Sequence, residues 1–203
     1  MSYSGEYLVK LARKTIETYL NSNKGTILPV PSDAPNDLFD QSGVFVTLHK
    51  IKNTMKHDLR GCIGRIESPN STLIQSTIDS AIDAAINDPR FPVVTIDEMN
   101  RIVIEVTILT VPELIRVENS DDYKNQIIIG RHGLIAQRSL YQRGLLLPQV
   151  PVEQKWDLLQ YLNHVCLKAG LPPQSWRDLK TKIYRFQGYI FSETSPNGPI
   201  VMK

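Results

Sequence analysis

The stretch from Arg101 to Thr110 constrains this chain most. Ile102, Ile104, Val106 and Ile108 fall on one face, and Val103, Glu105, Thr107 and Leu109 on the other. A period of two is that of a β-strand. Glu105 is a lone carboxylate on this otherwise apolar strand. An unpaired buried charge is costly, so Glu105 needs an arginine or a backbone donor, or it serves a site.

The rest of the chain supplies strands and helices around it. Gly43 to Lys50, rich in Val, Phe and Thr, predicts a strand, and Asp58 to Glu67 a second, with a polar loop over 51–57. A hairpin is the simplest connection, since sequential strands usually pair. Leu8, Leu11, Ala12, Thr15, Ile16, Tyr19 and Leu20 repeat at helical spacing up to Asn23-Lys24-Gly25, and Pro29, Pro31 and Pro35 then impose an irregular crossing. Pro69-Asn70-Ser71-Thr72 opens a second helix, Thr72 and Gln75 fitting a capping box. Its stripe is Ile74, Thr77, Ile78, Ala81, Ile82 and Ala85, and it stops before Asp88-Pro89-Arg90-Phe91-Pro92. Ile127–Ile129, Leu134–Ala136 and Gly144–Val150 predict a three-stranded meander. A third helix follows, from the Asp157/Gln160 cap to Gly170 and Pro172-Pro173. Ile183 to Phe191 predicts a last strand, and residues 192–203 a mobile tail.

Length and charge exclude several classes. The 203 residues carry a net charge of +2, which gives no electrostatic footprint for nucleic acid or an anionic membrane. No apolar run approaches the roughly 20 residues that span a bilayer. Met1-Ser2-Tyr3-Ser4-Gly5-Glu6 lacks the basic and apolar regions of a signal peptide, so the expected compartment is a reducing cytoplasm with Cys62 and Cys166 as free thiols.

The chemistry concentrates in Leu59-Arg60-Gly61-Cys62-Ile63-Gly64. In an extended segment Arg60 and Cys62 share a face, and a guanidinium near a thiol favours the thiolate. Gly61 and Gly64 mark a bulge or a close backbone approach, and they leave room for a ligand. As a nucleophile Cys62 needs a base, and His132, in the glycine-flanked turn Gly130-Arg131-His132-Gly133, is the best available. The bland alternatives are a packed cysteine and a solvent-exposed turn histidine. Cys166, on the stripe Leu158, Leu159, Leu162, Val165, Cys166 and Ala169, reads as structural. His164 points off that stripe toward solvent, and His49 carries no pattern. Arg90 and Phe91, fixed between prolines, are either a rigid crossover or a cleft wall, and Gln149 after Pro148 can present an amide to the same cleft. HExxH, HxH, CxxC, GxGxxG and P-loop signatures do not occur, so neither a metal nor a cofactor is expected.

Leu59-Arg60-Gly61-Cys62-Ile63-Gly64 resembles the LRGCIG hallmark of the AMMECR family. Five further blocks agree in order: Asp88-Pro89-Arg90-Phe91-Pro92, Ile104-Glu105-Val106, Gly130-Arg131-His132-Gly133-Leu134, Leu145-Leu146-Leu147-Pro148-Gln149-Val150, and Cys166-Leu167-Lys168-Ala169-Gly170-Leu171-Pro172. One departure is Val93, where many relatives carry a second proline. The likeness runs from about Tyr7 to Phe191, that of a single domain in an archaeal or bacterial member. It implies an α+β fold with a cleft between two lobes. The larger lobe, about 7–112 with 151–191, would hold a mostly antiparallel sheet flanked by helices; the smaller, about 113–150, the meander. It also implies a shared pathway with Memo-like and radical SAM proteins.

Two functions are compatible with these residues. In the first, Cys62 is a nucleophile for covalent modification or group transfer, His132 and Glu105 are base and orienter, and Arg60, Gly61, Gly64, Arg90 and Gln149 bind substrate. In the second, the domain is a binding or adaptor module for a protein segment or small ligand. An active nucleophile has a depressed pKa and partial exposure; a packing cysteine is inert.

Overall fold

The computed structural model describes residues 2–22, 25–53, 56–66 and 71–203. The helix stop at Asn23-Lys24, the strand end at Glu67 and the helix lead-in at Pro69-Asn70 lie outside the described residues. The fold is α+β and divides into two compact units, Met1–Leu109 with Tyr189–Lys203, and Thr110–Gly188.

The first unit is built on a five-stranded sheet. Its strands are β1 (Val44–Asn53), β2 (Lys56–Arg65), β3 (Ile102–Leu109), β8 (Gly188–Glu193) and β9 (Ile200–Met202), in the order β2-β1-β3-β8-β9. β1 pairs antiparallel with both β2 and β3, as the hairpin and the alternation predict. The helices α1 (Ser2–Asn21) and α2 (Leu73–Ile86) cover one face. Leu8, Ala12 and Ile16 of α1 and Ile74, Ile78 and Ala81 of α2 pack with Val44, Val46, Leu48, Ile102, Ile104 and Val106 in one buried cluster. Thr72 caps α2 by accepting the Gln75 N–H.

The second unit holds a four-stranded sheet. Its strands are β4 (Glu113–Leu114), β5 (Gly133–Gln137), β6 (Arg143–Leu146) and β7 (Lys182–Phe186), ordered β4-β7-β5-β6. The short helices α3 (Tyr123–Gln126) and α4 (Gln149–Glu153) and the longer α5 (Leu158–Lys168) complete it. The Asp157/Gln160 capping box forms in full at the start of α5. Tyr161, Leu162, Val165 and Cys166 of α5 pack with Leu134, Ala136, Ile183 and Trp176.

Four expectations are corrected. The α5 region and β7 belong with the smaller sheet, so the boundary falls at 110 and 188 rather than near 113 and 150. The reason is packing, because the apolar stripe of α5 is buried on β5 and β7. The meander is β5-β6 with β7 as third member, since Ile127 ends α3 and 128–132 form a turn. The last strand is two, broken at Gln187, which exchanges hydrogen bonds with Thr110: Gln187 N–H to Thr110 Oγ1 and Thr110 N–H to Gln187 O, both 2.9 Å. Residues 192–203 are ordered as a hairpin in which Phe191, Ser192 and Glu193 face Met202, Val201 and Ile200.

Candidate functional site around Cys62

β2 is an edge strand, and Cys62 lies at its middle opposite Thr47 of β1, which in turn lies opposite Glu105 of β3. The inward residues Val46 and Leu48 meet the helices, so Cys62, Thr47 and Glu105 form a row across the other face of the sheet. The Thr47 hydroxyl donates to Cys62 Sγ at 3.3 Å.

The main chain of Cys62 is held at the open edge of β2. Asp88 Oδ2 accepts its N–H at 2.9 Å, and Arg90 Nη2 donates to its carbonyl at 3.1 Å. Arg90 also donates through Nε and Nη2 to Asp88, at 2.9 and 2.6 Å. The Asp88–Arg90 turn therefore takes the place of a neighbouring strand and blunts a sheet edge. The hydrogen bonds from Arg90, with those from both backbone amides, hold the Asp88 carboxyl well below the usual carboxylate range. Sequence reasoning missed Asp88 and Thr47; the proline-bracketed Asp88-Pro89-Arg90 block was the available signal.

The thiol itself is not activated. Burial pushes the Cys62 pKa up; the Thr47 hydrogen bond and the Arg90 charge act against this without overcoming it, and the Asp88 and Glu105 charges add to the rise. Arg60 contributes nothing here, because Leu48 faces Gly61 while His49 faces Leu59, so Arg60 is the extra residue of a bulge. Its guanidinium turns to Glu98, donating at 3.2 and 2.9 Å, and to the carbonyls of Pro92 and Val93. The face shared by Arg60 and Cys62 is thereby corrected, and the Arg60 guanidinium is committed to partners within the chain. Glu98 also accepts from Lys50, and these partners, Arg60 first, bring its pKa down to about 2.

The two glycines make room for the protein rather than a ligand. A Cβ at Gly61 would lie 2.1 Å from the Ala84 carbonyl oxygen of α2, and one at Gly64 would lie 2.3 Å from the Phe45 ring and 2.6 Å from the Val44 oxygen. The helix thus comes down directly on β2 beneath Cys62.

Glu105 sits 3.7 Å from His49 Nε2 and 2.6 Å from Lys203 Nζ. Burial raises its pKa, but His49 and Lys203 outweigh that and leave it below the usual carboxylate value. The need for a cationic partner was legible in the strand pattern. The identity of the partners was not, since His49 shows no motif and Lys203 belongs to the segment expected to be mobile.

His132 and Gln149 belong to the second unit. The Ile128 N–H donates to His132 Nδ1 at 3.1 Å, so the neutral ring carries its proton on Nε2. Burial first, then Arg185 and Arg131, lower its pKa and keep it neutral. With Nδ1 accepting that N–H and its pKa lowered, the ring geometry does not favour His132 as a base. His132 instead closes its turn, with its own N–H bonded to the Ile128 carbonyl and its carbonyl accepting from Tyr161. Gln149 opens α4, half-buried. His164 stacks on Trp156 at 3.8 Å rather than standing in solvent, and Cys166 is fully buried with its pKa pushed up to about 11. Among the described residues no group of three or more His, Cys, Asp or Glu converges as metal ligands, and no helix is long and apolar enough to cross a membrane.

Comparison with known proteins agrees with this architecture. The AMMECR1 family pattern matches residues 9–191. Protein PH0010 of Pyrococcus horikoshii is 47% identical over 98% of this chain and 94% of its own length. Protein MJ0810 of Methanocaldococcus jannaschii is 48% identical, covering 98% and 94%. The crystal structure of the uncharacterized protein PH0010 superimposes with a TM-score of 0.85 at 46% identity, covering 99% of this chain and 97% of that one. With the match spanning both units and every block around Cys62, the chain belongs to the AMMECR1 family.

Proposed function

We propose that this domain is a binding module whose ligand meets the outward sheet face at Cys62, Thr47 and Glu105, with Arg90 at its border. The observation that carries this reading is the state of the thiol. The thiol is half-buried, its pKa is raised by that burial, it accepts a hydrogen bond from Thr47, and the Arg60 guanidinium is turned away to Glu98. A neutral thiol beside a hydroxyl and a carboxylate forms a wall that recognises a ligand by hydrogen bonds and charge.

A second reading is favoured by one observation: Thr47 and Arg90 both act to stabilise a thiolate. In it Cys62 is a nucleophile for covalent modification or group transfer, and Glu105, on the same face, takes the thiol proton. Under either reading the domain works in the cytoplasm. The Memo-like and radical SAM proteins implied by the family resemblance are the partners to test as sources of the ligand. Neither nucleic acid nor membrane is required.

Alkylation of Cys62 in a Cys166→Ser background separates the two. The binding module predicts slow reaction with a midpoint above about 8.5, the ordinary thiol value. A midpoint well below that value overturns it in favour of the nucleophile.

A further inference from the structure

The carboxylate in the Cys62 row faces His49 Nε2 at 3.7 Å through Oε1, and its other oxygen is filled by a lysine of the chain itself. Lys203, just past the three-residue edge strand β9, places its ammonium 2.6 Å from Glu105 Oε2. Its backbone N–H is tied to the Ile190 carbonyl at 2.9 Å. The Glu105 side chain is 15% exposed and that of Lys203 52% exposed. A largely buried anion thus has a largely exposed partner on a short strand with one paired edge. A half-exposed ion pair contributes little to holding such a strand.

The surroundings of Glu105 suit more than a point charge. On the same face Thr47 offers a hydroxyl and Cys62 a thiol, while Val103 and Phe45 of the flanking positions are apolar. An ammonium on a short carbon body would place its charge on Glu105 and its carbons where the exposed Lys203 side chain now reaches it.

We propose that Glu105 is the anchor of a site for a small primary amine, and that the Lys203 side chain is an internal stand-in for that ligand which must be displaced on binding. This rests on the outward face being the binding face and specifies what binds there. The tether gives Lys203 an effective concentration in the millimolar range, so it competes with a free amine without excluding it.

The test titrates the full chain with n-propylammonium chloride and follows the backbone amide resonances of Thr47, Cys62 and Glu105. Lys203→Met is expected to show saturable shifts at concentrations about tenfold lower than the unsubstituted chain requires. Lys203→Arg, which keeps the cation, is expected to bind as weakly as the unsubstituted chain, and Glu105→Gln combined with Lys203→Met is expected not to bind. Tetramethylammonium, with equal charge and no N–H donor, controls for screening. The inference is overturned if Lys203→Met shows no saturable shift, if the shifts survive Glu105→Gln, or if tetramethylammonium reproduces them. A melting temperature for Lys203→Met confirms that β9 loss has not unfolded the sheet. The alkylation midpoint of Cys62 is read separately, so the broader binding reading can stand when the amine fails.

Discussion

The two units hold their sheets together by different means. In the first, ion pairs clamp the strands in addition to an apolar core. Arg13 of α1 donates to both Glu193 oxygens at 2.6 Å and to the Met99 and Ile102 carbonyls, while Glu193 accepts the Ile104 N–H. Arg60 with Glu98 and Arg90 with Asp88 repeat the device along the other side. The second unit relies on apolar bulk, with Tyr161, Trp176 and Ile183 in one core and the Trp176 indole N–H satisfied by Asn163. A clamp tolerates the close presence of other ionisable groups, whereas an apolar core excludes them. That is a physical reason for the thiol, hydroxyl and carboxylate row to lie on the first sheet.

The largest test of this contrast is to break one member of each. Arg13→Met leaves Glu193 buried and uncompensated, with an expected loss of about 3–5 kcal/mol in chemical denaturation. Trp176→Ala in the second unit costs about the same, 3–5 kcal/mol, by opening a cavity. The difference appears on rescue. Adding Glu193→Leu to Arg13→Met is expected to restore much of the loss, because both charges are then gone. If the double variant is no more stable than the single one, the clamp is not the organising device of the first unit. Both tryptophans, Trp156 and Trp176, lie in the second unit, so their fluorescence reports that unit while far-ultraviolet circular dichroism reports both.

Next in size is the contact of α2 with β2. Gly61→Ala would drive a methyl into the Ala84 carbonyl, a backbone atom that cannot swing away. The expected cost is about 1–3 kcal/mol, the range for overpacking. A neutral Gly61→Ala would mean that the helix does not seat on the strand as described.

Acid should separate the units. His132 has its pKa lowered by burial, so folding is favoured above its unfolded value near 6.5 and that contribution is lost as pH falls below it. Glu98, lowered to about 2 by Arg60 and Lys50, keeps its contribution above its usual 4.5 and loses it only between there and about 2. On titration from neutral pH the tryptophan signal should weaken first, and the circular dichroism change assigned to the first sheet should follow below about 4.5. Simultaneous loss would show that the units do not titrate separately.

Much of this was legible in local pattern. The strand Ile102–Leu109, the hairpin, the caps at Thr72 and Asp157 and the requirement of Glu105 for a partner follow from period and chemistry within a few residues. What was not legible depends on distant chain. The bulge at Arg60 is set by register against His49, and the Asp88 contact joins positions 26 residues apart. The Lys203 contact with Glu105 spans 98 residues, and a single polar tail gives no periodic signal that it returns as a strand. The hydrogen bond at His132 is hidden for a finer reason, since no spacing reveals which ring nitrogen a backbone N–H will occupy.

The smallest predicted effect bears most directly on Cys62. Thr47→Val keeps the side-chain volume of β1 and removes only the hydroxyl that donates to Sγ. A single hydrogen bond of this kind contributes on the order of 1 kcal/mol, so stability should fall by no more than that. The thiol should respond more clearly than the fold. Thr47 acts to lower the Cys62 pKa against burial, so its loss should move the alkylation midpoint of Cys62 upward and leave that of Cys166, in the second core, unchanged. Arg90→Gln should shift Cys62 in the same direction through the lost positive charge, while Arg60→Ala should leave it in place, because that guanidinium is spent on Glu98. A downward shift with Thr47→Val, or a large shift with Arg60→Ala, would reverse the electrostatic order described for the row and return the guanidinium of Arg60 to the thiol.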